Sequence, residues 1–464
     1  MTNHMRSCLS AALFAVFATS ADGQVAPTSS TLAARRRSAM HASPDAILLF
    51  RARATEMPEN ANGFRQSANF YYFTGLENVL GAVLALDARR NESWLFVPGP
   101  GTLTQGFASL FRAPYGYVAS GSGTAATLGL DHVVPWTEME GFLATRLAED
   151  STVVLRGPFS RQDNGALGLP ELLAGQSESS LWQRALQARF PRARFGEASA
   201  AVGLRGVKDS GEVATMRRVA QSSAAGLRAG LASLRPGRRQ RDAEVDVLAA
   251  CVKAHAAGIS FWPWIMTGSN STVMQAIQSL ADARFLDREM QSGELARVDV
   301  GCTRDGYAGD VGRTAPVNGR FDAGQREAWE LLVTAYRAGL AAIRPDRTTR
   351  DVITVFRQEI ERRRGSLRTA FGRRTAEVAL EQGGMRWVQL HGVGIEAAEF
   401  LGDTLRAGNV LAFEPILTVD GVGLYLEDMI LVTATGSEVL TKGLPYTADE
   451  IERAVRPRRV RSTR

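Results

Sequence analysis

Two Asp-Gly dipeptides in the C-terminal half, Asp305-Gly306 and Asp420-Gly421, each separate two β-rich runs, and each pair of runs carries two carboxylates. Asp-Gly favours a two-residue hairpin, because both central residues of a type I′ turn take positive φ. With Asp420 and Gly421 as the central residues, Val419 pairs with Val422, and counting outward sets Glu414 opposite Glu427. Their Cβ atoms would then be roughly 5 Å apart. The first hairpin turns at Arg304-Asp305-Gly306 and leaves Asp299 and Asp310 opposite, or one diagonal step apart. The second hairpin is otherwise apolar (Val410, Leu411, Phe413, Ile416, Leu417; Leu424, Leu426, Met429, Ile430, Leu431), so its glutamates project from a largely buried sheet. Like charges facing one another across strands repel, and an unpaired buried carboxylate is costly. Four together call for cations.

His391, in His391-Gly392-Val393-Gly394, lies between the two acidic hairpins. Four carboxylates are neutralised by two divalent ions. Oxygen ligands with one imidazole suit Mn, Co, Zn or Fe in higher coordination, whereas a tetrahedral structural zinc would draw on Cys and His. Two ions about 3.5–4 Å apart can hold a hydroxide nucleophile and polarise a carbonyl at once, so hydrolysis is the expected chemistry.

The 464 residues, 45% hydrophobic, suffice for two or three domains with their own cores. The net charge of +6 is concentrated in Arg35-Arg36-Arg37, Arg362-Arg363-Arg364 and the tail Arg456-Pro457-Arg458-Arg459-Val460-Arg461. No aromatic residues interleave these runs, so they read as solvated surface rather than a nucleic-acid groove. At the N-terminus, Arg6 precedes an apolar stretch from Cys8 to Ala18 and the small residues Thr19-Ser20-Ala21. This is the pattern of a secretory signal, with a membrane anchor or a buried first strand as alternatives. It implies an exported protein, periplasmic or secreted, with no membrane attachment after signal cleavage. Cys8 would leave with the signal. Cys251 and Cys302 could pair, but two thiols do not indicate a disulfide framework, and Cys302 is expected as a small buried side chain.

The expected organisation is a signal peptide over 1–21, a Ser/Thr/Ala/Pro-rich linker over 22–34, an α/β domain over 35–195, an α+β domain over 200–452 and a basic tail over 453–464. Strand-like runs at 46–50, 81–86, 94–97 and 152–155 alternate with helical patterns at 138–148 and 179–188, which suggests a doubly wound first domain. In the second, Ser210 can cap a helix to about Leu234. Helices follow over 241–255, 323–342 and 349–363, between strands at 264–267, 296–301, 306–317, 388–395, 410–419 and 424–433. That pattern points to an antiparallel sheet with helices on one side.

In combination these motifs resemble a known family. Asp299-Val300-Gly301, Gly306-Tyr307-Ala308-Gly309-Asp310-Val311-Gly312-Arg313-Thr314, His391-Gly392-Val393-Gly394, Phe413-Glu414-Pro415 and Glu427-Asp428-Met429-Ile430-Leu431-Val432-Thr433 look like the pita-bread (M24) metallopeptidases. Phe64-Arg65-Gln66-Ser67-Ala68-Asn69-Phe70-Tyr71-Tyr72-Phe73-Thr74-Gly75-Leu76 is similar to the signature of the aminopeptidase P N-terminal domain, and Gly203 to Lys208 with Glu212 resembles the entry into the catalytic domain. Gly443 to Glu452 also looks like the end of aminopeptidase P, so the resemblance runs over residues 33–452. It implies an α/β N-terminal domain followed by an α+β pita-bread domain. It further implies that Asp299 binds one metal, often bidentately, and that Asp310 and Glu427 bridge two. His391 and Glu414 would complete the second position, with Glu414 also taking a proton from the attacking water. The family's ions are commonly manganese, sometimes cobalt or zinc. The implied substrate is a peptide with proline at its second position, cleaved at the Xaa-Pro bond, and a homo-oligomer is a possible assembly.

Three positions depart from the family pattern. A histidine expected five residues after Asn270 is Gln275, a second expected seven residues after His391 is Ala398, and an arginine expected two residues before Glu427 is Tyr425. Loss of electrophilic or proton-transfer groups typically costs about 10²–10⁴ in rate. Gln275 can still donate a hydrogen bond to an oxyanion but cannot titrate. Two readings therefore stand: a working Xaa-Pro aminopeptidase or related dipeptidase, and a weakly active or inactive descendant that binds metal and peptide. A creatinase-like hydrolase fits less well, since such members lose metal ligands and this chain keeps all five.

Overall fold

The run Ala46-Ile47-Leu48-Leu49-Phe50 is apolar at every position, as befits a strand covered on both faces. A computed structural model describes residues 27–53, 65–77, 79–98, 118–159, 178–272, 275, 278, 287–381 and 388–455. In it, this run forms β1 (Ala46–Arg51) of a six-stranded sheet with β2 (Val83–Asp87), β3 (Glu92–Val97), β4 (His132–Pro135), β5 (Val154–Gly157) and β6 (Arg194–Glu197), in the order β4-β3-β2-β1-β5-β6. Ala39, Met40, Phe70 and Phe73 pack with Leu48, Phe50 and Leu84 on one face. Phe142, Leu143 and Leu186 pack with Ile47, Leu49 and Ala85 on the other. Both faces are covered, as a doubly wound layer requires, but the sheet is mixed. β1–β2 and β2–β3 are antiparallel, and β1–β5, β3–β4 and β5–β6 are parallel. The link from Asp87 to Glu92 is too short for a crossover and forces a hairpin.

Two other expectations for this region are corrected. The stretch assigned to a linker is helical from Ser29, and the helix runs to Ala42 with Thr28 accepting the Thr31 N–H as N-cap. Its Ser/Thr content is cap chemistry rather than loop composition. Nor is the first arginine run solvated. Arg36, 1% exposed, donates to the carbonyls of Phe73, Leu128 and Gly129, and Arg35 pairs with Asp209 and Glu212. Arg37 is exposed, as are Arg362, Arg363 and Arg364. The signal segment and the residues from 456 onward lie outside the described residues, while Arg453, assigned to the tail, stands in the helix Ala448–Val455. Among the described residues no helix is long and apolar enough to cross a membrane.

The second half holds β7 (Gly258–Ile259), β8 (Trp264–Thr267), β9 (Leu295–Val300), β10 (Cys302–Arg304), β11 (Tyr307–Ala308), β12 (Val311–Pro316), β13 (Val388–Gly392), β14 (Val410–Val419), β15 (Val422–Val432) and β16 (Ser437–Val439). The main sheet is antiparallel in the order β13-β14-β15-β12-β9-β8, with β16 on β15, and β11-β10-β7 form a small second sheet. Helices Ser210–Ser233, Gln240–Lys253, Ala323–Ala342 and Thr349–Arg364 lie within two residues of their expected bounds, and Ala370–Glu381 is an addition. The first is capped by Asp209 rather than Ser210, because Glu212 three residues on completes a reciprocal capping box. Cys251 and Cys302 are joined in a disulfide with Cα atoms 5.7 Å apart. The pairing that the sequence left open is made because the helix Gln240–Lys253 packs against β7, the neighbour of β10, and Cys302 is buried as expected.

Val298, Val300, Leu411, Phe413, Leu424, Leu426 and Ile430 share one core with Trp329, Leu332, Tyr336 and Phe356 of the covering helices. The strand period of two turns Asp299, Glu414 and Glu427 to the opposite face. At the border of that face, Val410, Ala412 and Met429 join a core with Phe70, Tyr71, Tyr72 and Phe73 of the first domain. Polar contacts tie the same junction: Arg65 donates to the carbonyls of Ser260 and Ile395, and Tyr71 Oη to that of Asp305.

Beside this junction Glu399 is held by Arg205 at 2.5 Å and Lys208 at 2.8 Å, and Arg205 reaches Asn69 of the first domain at 2.8 Å. Burial pushes the Glu399 carboxyl up, but Arg205 and Lys208 outweigh it and hold it at about 2 instead of 4.5. A carboxyl lowered on folding contributes its full stability above the unfolded value and loses it as pH falls towards the folded one. On the order of 3 kcal/mol is involved. The stability gap between wild type and Glu399→Gln should therefore narrow on acidification from about pH 5 to about pH 3 in urea unfolding of the metal-stripped proteins. A gap that stays constant would show that the pair does not act this way.

Candidate metal centre

Both Asp-Gly turns have the expected backbone, with φ of 53° and 76° at Asp305 and Gly306, and 47° and 79° at Asp420 and Gly421. In the second hairpin Val419 pairs with Val422, Ile416 with Tyr425 and Phe413 with Asp428, so the same count sets Glu414 opposite Glu427. In the first, Thr303 pairs with Ala308 and Asp299 with Gly312, which leaves Asp310 one diagonal step from Asp299. β12 then joins the hairpins by pairing Gly312 with Glu427. Asp299, Gly312, Glu427 and Glu414 thus form one row across four strands. Gln389 of β13 extends it opposite Glu414, and His391 follows two residues later on the same face, opposite Ala412.

The five expected ligand residues converge. His391 Nε2 lies 3.1 Å from Glu414 Oε1, 3.8 Å from Glu427 Oε1 and 3.9 Å from Asp310 Oδ2. Its Nδ1 is 3.0 Å from the Gly392 carbonyl. That contact makes Nδ1 the protonated nitrogen and leaves the Nε2 lone pair for a cation. Ligand atoms of Asp310, His391 and Glu427 all lie within 4.8 Å of one another, close enough to share one ion.

The donor set passes a test of fit to divalent cations. Asp299, Asp310, Glu414 and Glu427 are all buried, Glu427 completely, and Asp299 Oδ1 and Glu427 Oε1 have no hydrogen-bond partner. Buried oxygens left unpaired are costly unless something else satisfies them. Burial and then the neighbouring carboxylates push Asp310 and Glu427 well above the usual carboxylate range. Burial raises Asp299 to about 6 against the opposing pull of Arg297. Burial lowers His391, but its hydrogen bond to Glu414 and the charges of Glu414 and Glu427 outweigh that and raise it to about 9. Each shift shows how strongly the cluster draws positive charge.

Three side chains around the cluster were not anticipated as contacts. Arg297 Nη2 lies 3.0 Å from Asp299 Oδ2, Tyr425 Oη donates to Glu427 Oε2 at 2.5 Å, and Gln389 Nε2 donates to Glu414 Oε1 at 2.7 Å. The signal was available, because each stands two residues before a ligand and therefore on its face of the sheet. Gly312 makes room for this arrangement, since a Cβ there would collide with the Tyr425 ring. On the reverse face Arg313 and Asp428, both fully buried, pair at 3.0 Å between β12 and β15. The Gln275 side chain makes no hydrogen bond to the ligand carboxylates. Among the described residues, side-chain hydrogen bonds to the ligand carboxylates come from Arg297, Tyr425, Gln389 and the ligands themselves. Gln275 is half-buried, with its backbone N–H 3.4 Å from Thr272 Oγ1, and Ala398 is exposed.

Comparison with known proteins agrees with this geometry. Residues 214–434 match the metallopeptidase family M24, and residues 32–155 match the aminopeptidase P N-terminal domain. The chain is 26% identical to the Xaa-Pro aminopeptidase of Escherichia coli over 434 residues, covering 88% of this chain and 92% of that protein. A local match to Xaa-Pro aminopeptidase 1 of Streptomyces coelicolor is 33% identical over 190 residues, 36% of this chain and 38% of that protein. The fold is that of a putative aminopeptidase P from Bacillus anthracis (TM-score 0.73, 18% identity, 92% of this chain and 98% of that one). It is likewise that of proline aminopeptidase P II from Yersinia pestis (TM-score 0.70, 24% identity, 92% and 99%). An aminopeptidase P-type N-terminal domain, a pita-bread sheet and a carboxylate–histidine cluster on its open face together make this chain an aminopeptidase P-like member of the metallopeptidase family M24.

Proposed function

We propose that the chain is an exported peptidase that uses two divalent ions to remove the N-terminal residue preceding proline. The observation that carries the reading is the convergence of Asp299, Asp310, His391, Glu414 and Glu427, with two buried carboxylate oxygens left unpaired. Asp299, Asp310 and Glu427 would hold one ion, and Asp310, His391, Glu414 and Glu427 the other. Oxygen-rich donors with one imidazole favour manganese, with cobalt or zinc as substitutes. A pair of such ions supplies a water acidic enough to attack at neutral pH and a Lewis acid for the scissile carbonyl. Glu414, in contact with His391 and Gln389, would take the proton of that water. Gln389 fixes the Glu414 carboxylate, and the Gly392 carbonyl fixes the imidazole.

Export is supported by the signal-like N-terminus and by the Cys251–Cys302 disulfide, since disulfides persist mainly in oxidising compartments. The substrate assignment is supported by the Escherichia coli relative, which is named for Xaa-Pro cleavage and matched over most of its length. A second reading, a metal- and peptide-binding descendant of low activity, is favoured by the exposed Ala398 and by a Gln275 that makes no hydrogen bond to the cluster.

Manganese-loaded mature protein, offered a panel of Xaa-Pro peptides and matched peptides without proline, is expected to release the first residue of the former only. If loaded protein cleaves none of them, the binding reading replaces the enzymatic one. Gln275→His with Ala398→His is expected to raise turnover, and unchanged turnover would place the proton-transfer groups elsewhere.

A further inference from the structure

The Cys251–Cys302 disulfide fastens the very segment that joins two of the proposed ligands. Cys302 lies between Asp299 and Asp310 in the chain. Its carbonyl accepts the Gly309 N–H at 2.9 Å, next to Asp310, and its own N–H donates to Ser223 Oγ at 3.1 Å. Ser223 belongs to the helix Ser210–Ser233, and Cys251 to the helix Gln240–Lys253. The connection from Asp299 to Asp310 is therefore tied to both helices through one residue.

There is no slack around the link. Both cysteines are fully buried. A Cβ on Gly226 would lie 3.1 Å from Cys251 Sγ, 3.4 Å from Cys302 Sγ and 2.9 Å from Val300 Cγ1, so the helix Ser210–Ser233 packs directly on the disulfide. Two separate thiols need more room than one disulfide, and added volume in a packed core displaces its neighbours. Here the neighbours are Val300 and Cys302, which adjoin Asp299 and, through the Gly309 hydrogen bond, Asp310. Sulfurs this deep are out of reach of an oxidant, so the link forms while the chain is still folding and then persists.

We propose that this disulfide is a maturation switch for the metal centre: the dithiol form, made before export, holds metal loosely, and oxidation after export completes the site. The proposal deepens the metal and export readings above and rests on them. In the step, the two thiols pass two electrons and two protons to the S–S bond of a disulfide-bearing oxidant. That bond breaks as the Cys251–Cys302 bond forms. Cys251 and Cys302 are positioning residues that act through Asp299 and Asp310. Because coupling between two equilibria is reciprocal, bound metal also makes the disulfide harder to reduce.

The test compares calorimetric binding of manganese(II) to the metal-stripped mature protein in its disulfide form and in its dithiol form, prepared with a dithiol and desalted without oxygen. The dithiol form is expected to bind about tenfold or more weakly, and re-oxidation to restore the affinity. Saturating manganese should raise, by the same factor, the dithiol-to-disulfide ratio of the buffer at which half the protein is reduced. Equal affinities with a lowered unfolding midpoint in the dithiol form would reduce the link to a structural staple and overturn the proposal. A half-reduction ratio unmoved by manganese would also overturn it. No uptake by the disulfide form would overturn the metal reading as well. Should the dithiol form fail to fold by circular dichroism, the double variant Cys251→Ala with Cys302→Ala decides: weakened manganese binding supports the switch, and unchanged binding overturns it.

Discussion

Glu414→Ala is expected to lose metal and peptidase activity together. Glu414 is the only carboxylate among the described residues that contacts both His391, at 3.1 Å, and an amide donor, Gln389 at 2.7 Å. Removing it takes one charged donor from the cluster, leaves His391 Nε2 without its nearest carboxylate, and deletes the proposed acceptor of the attacking water's proton. Loss of a proton acceptor alone costs about 10²–10⁴ in rate, and loss of a ligand adds to it. Glu414→Gln separates the two contributions, because it keeps a coordinating oxygen but cannot take a proton. It should retain more metal than alanine while remaining comparably inactive. Metal content by mass spectrometry, read beside hydrolysis of an Xaa-Pro peptide, distinguishes these outcomes. An alanine variant that still binds two equivalents as tightly as wild type would remove Glu414 from the ligand set.

The second large effect lies on the reverse face of the same strands. Asp428 follows Glu427 and faces the helices, where it pairs with Arg313 and accepts hydrogen bonds from Tyr336, Tyr446 and Thr441. Arg313 also donates to the Glu427 carbonyl at 2.6 Å and to that of Pro445 at 2.8 Å. Removing one partner of a buried pair leaves the other charge uncompensated, a loss of about 3–5 kcal/mol. Asp428→Ala should destabilise the protein by that amount and loosen the backbone that carries Glu427, lowering metal affinity without touching a ligand. Asp428→Asn, which still accepts hydrogen bonds, should cost less. Urea unfolding measures both. A loss below about 1 kcal/mol for the alanine variant would mean that the tyrosines and Thr441 satisfy Arg313's surroundings without the carboxylate.

The metal-bearing sheet was legible because its signals are short-range. A two-residue Asp-Gly turn sets the register of its hairpin, and the period of two then sorts Asp299, Glu414 and Glu427 onto one face. The same period marks Arg297, Tyr425 and Gln389 as neighbours of the ligands. What register cannot say is which way a side chain on that face reaches, so Tyr425 could be marked as a departure from the family without its hydroxyl being placed on Glu427. Strand direction in the first domain was lost for a related reason: an apolar run buried on both faces looks the same in parallel and antiparallel pairing.

Residue types and spacing alone thus determined two hairpins, four facing carboxylates and the need for cations, because local backbone geometry and charge repulsion act over a few residues. Other features are settled only by segments far apart in the chain. Arg35 and Arg36 are buried because the first helix lies against the residues around Phe73 and against Asp209 and Glu212. Cys251 meets Cys302 because the helix Gln240–Lys253 packs against the small sheet. Arg297 is fixed between Trp264 and Tyr425 because three strands bring them together. Whether a charge is solvated, paired or aimed at a ligand depends on what the fold packs against it, and the linear chain holds no record of that packing.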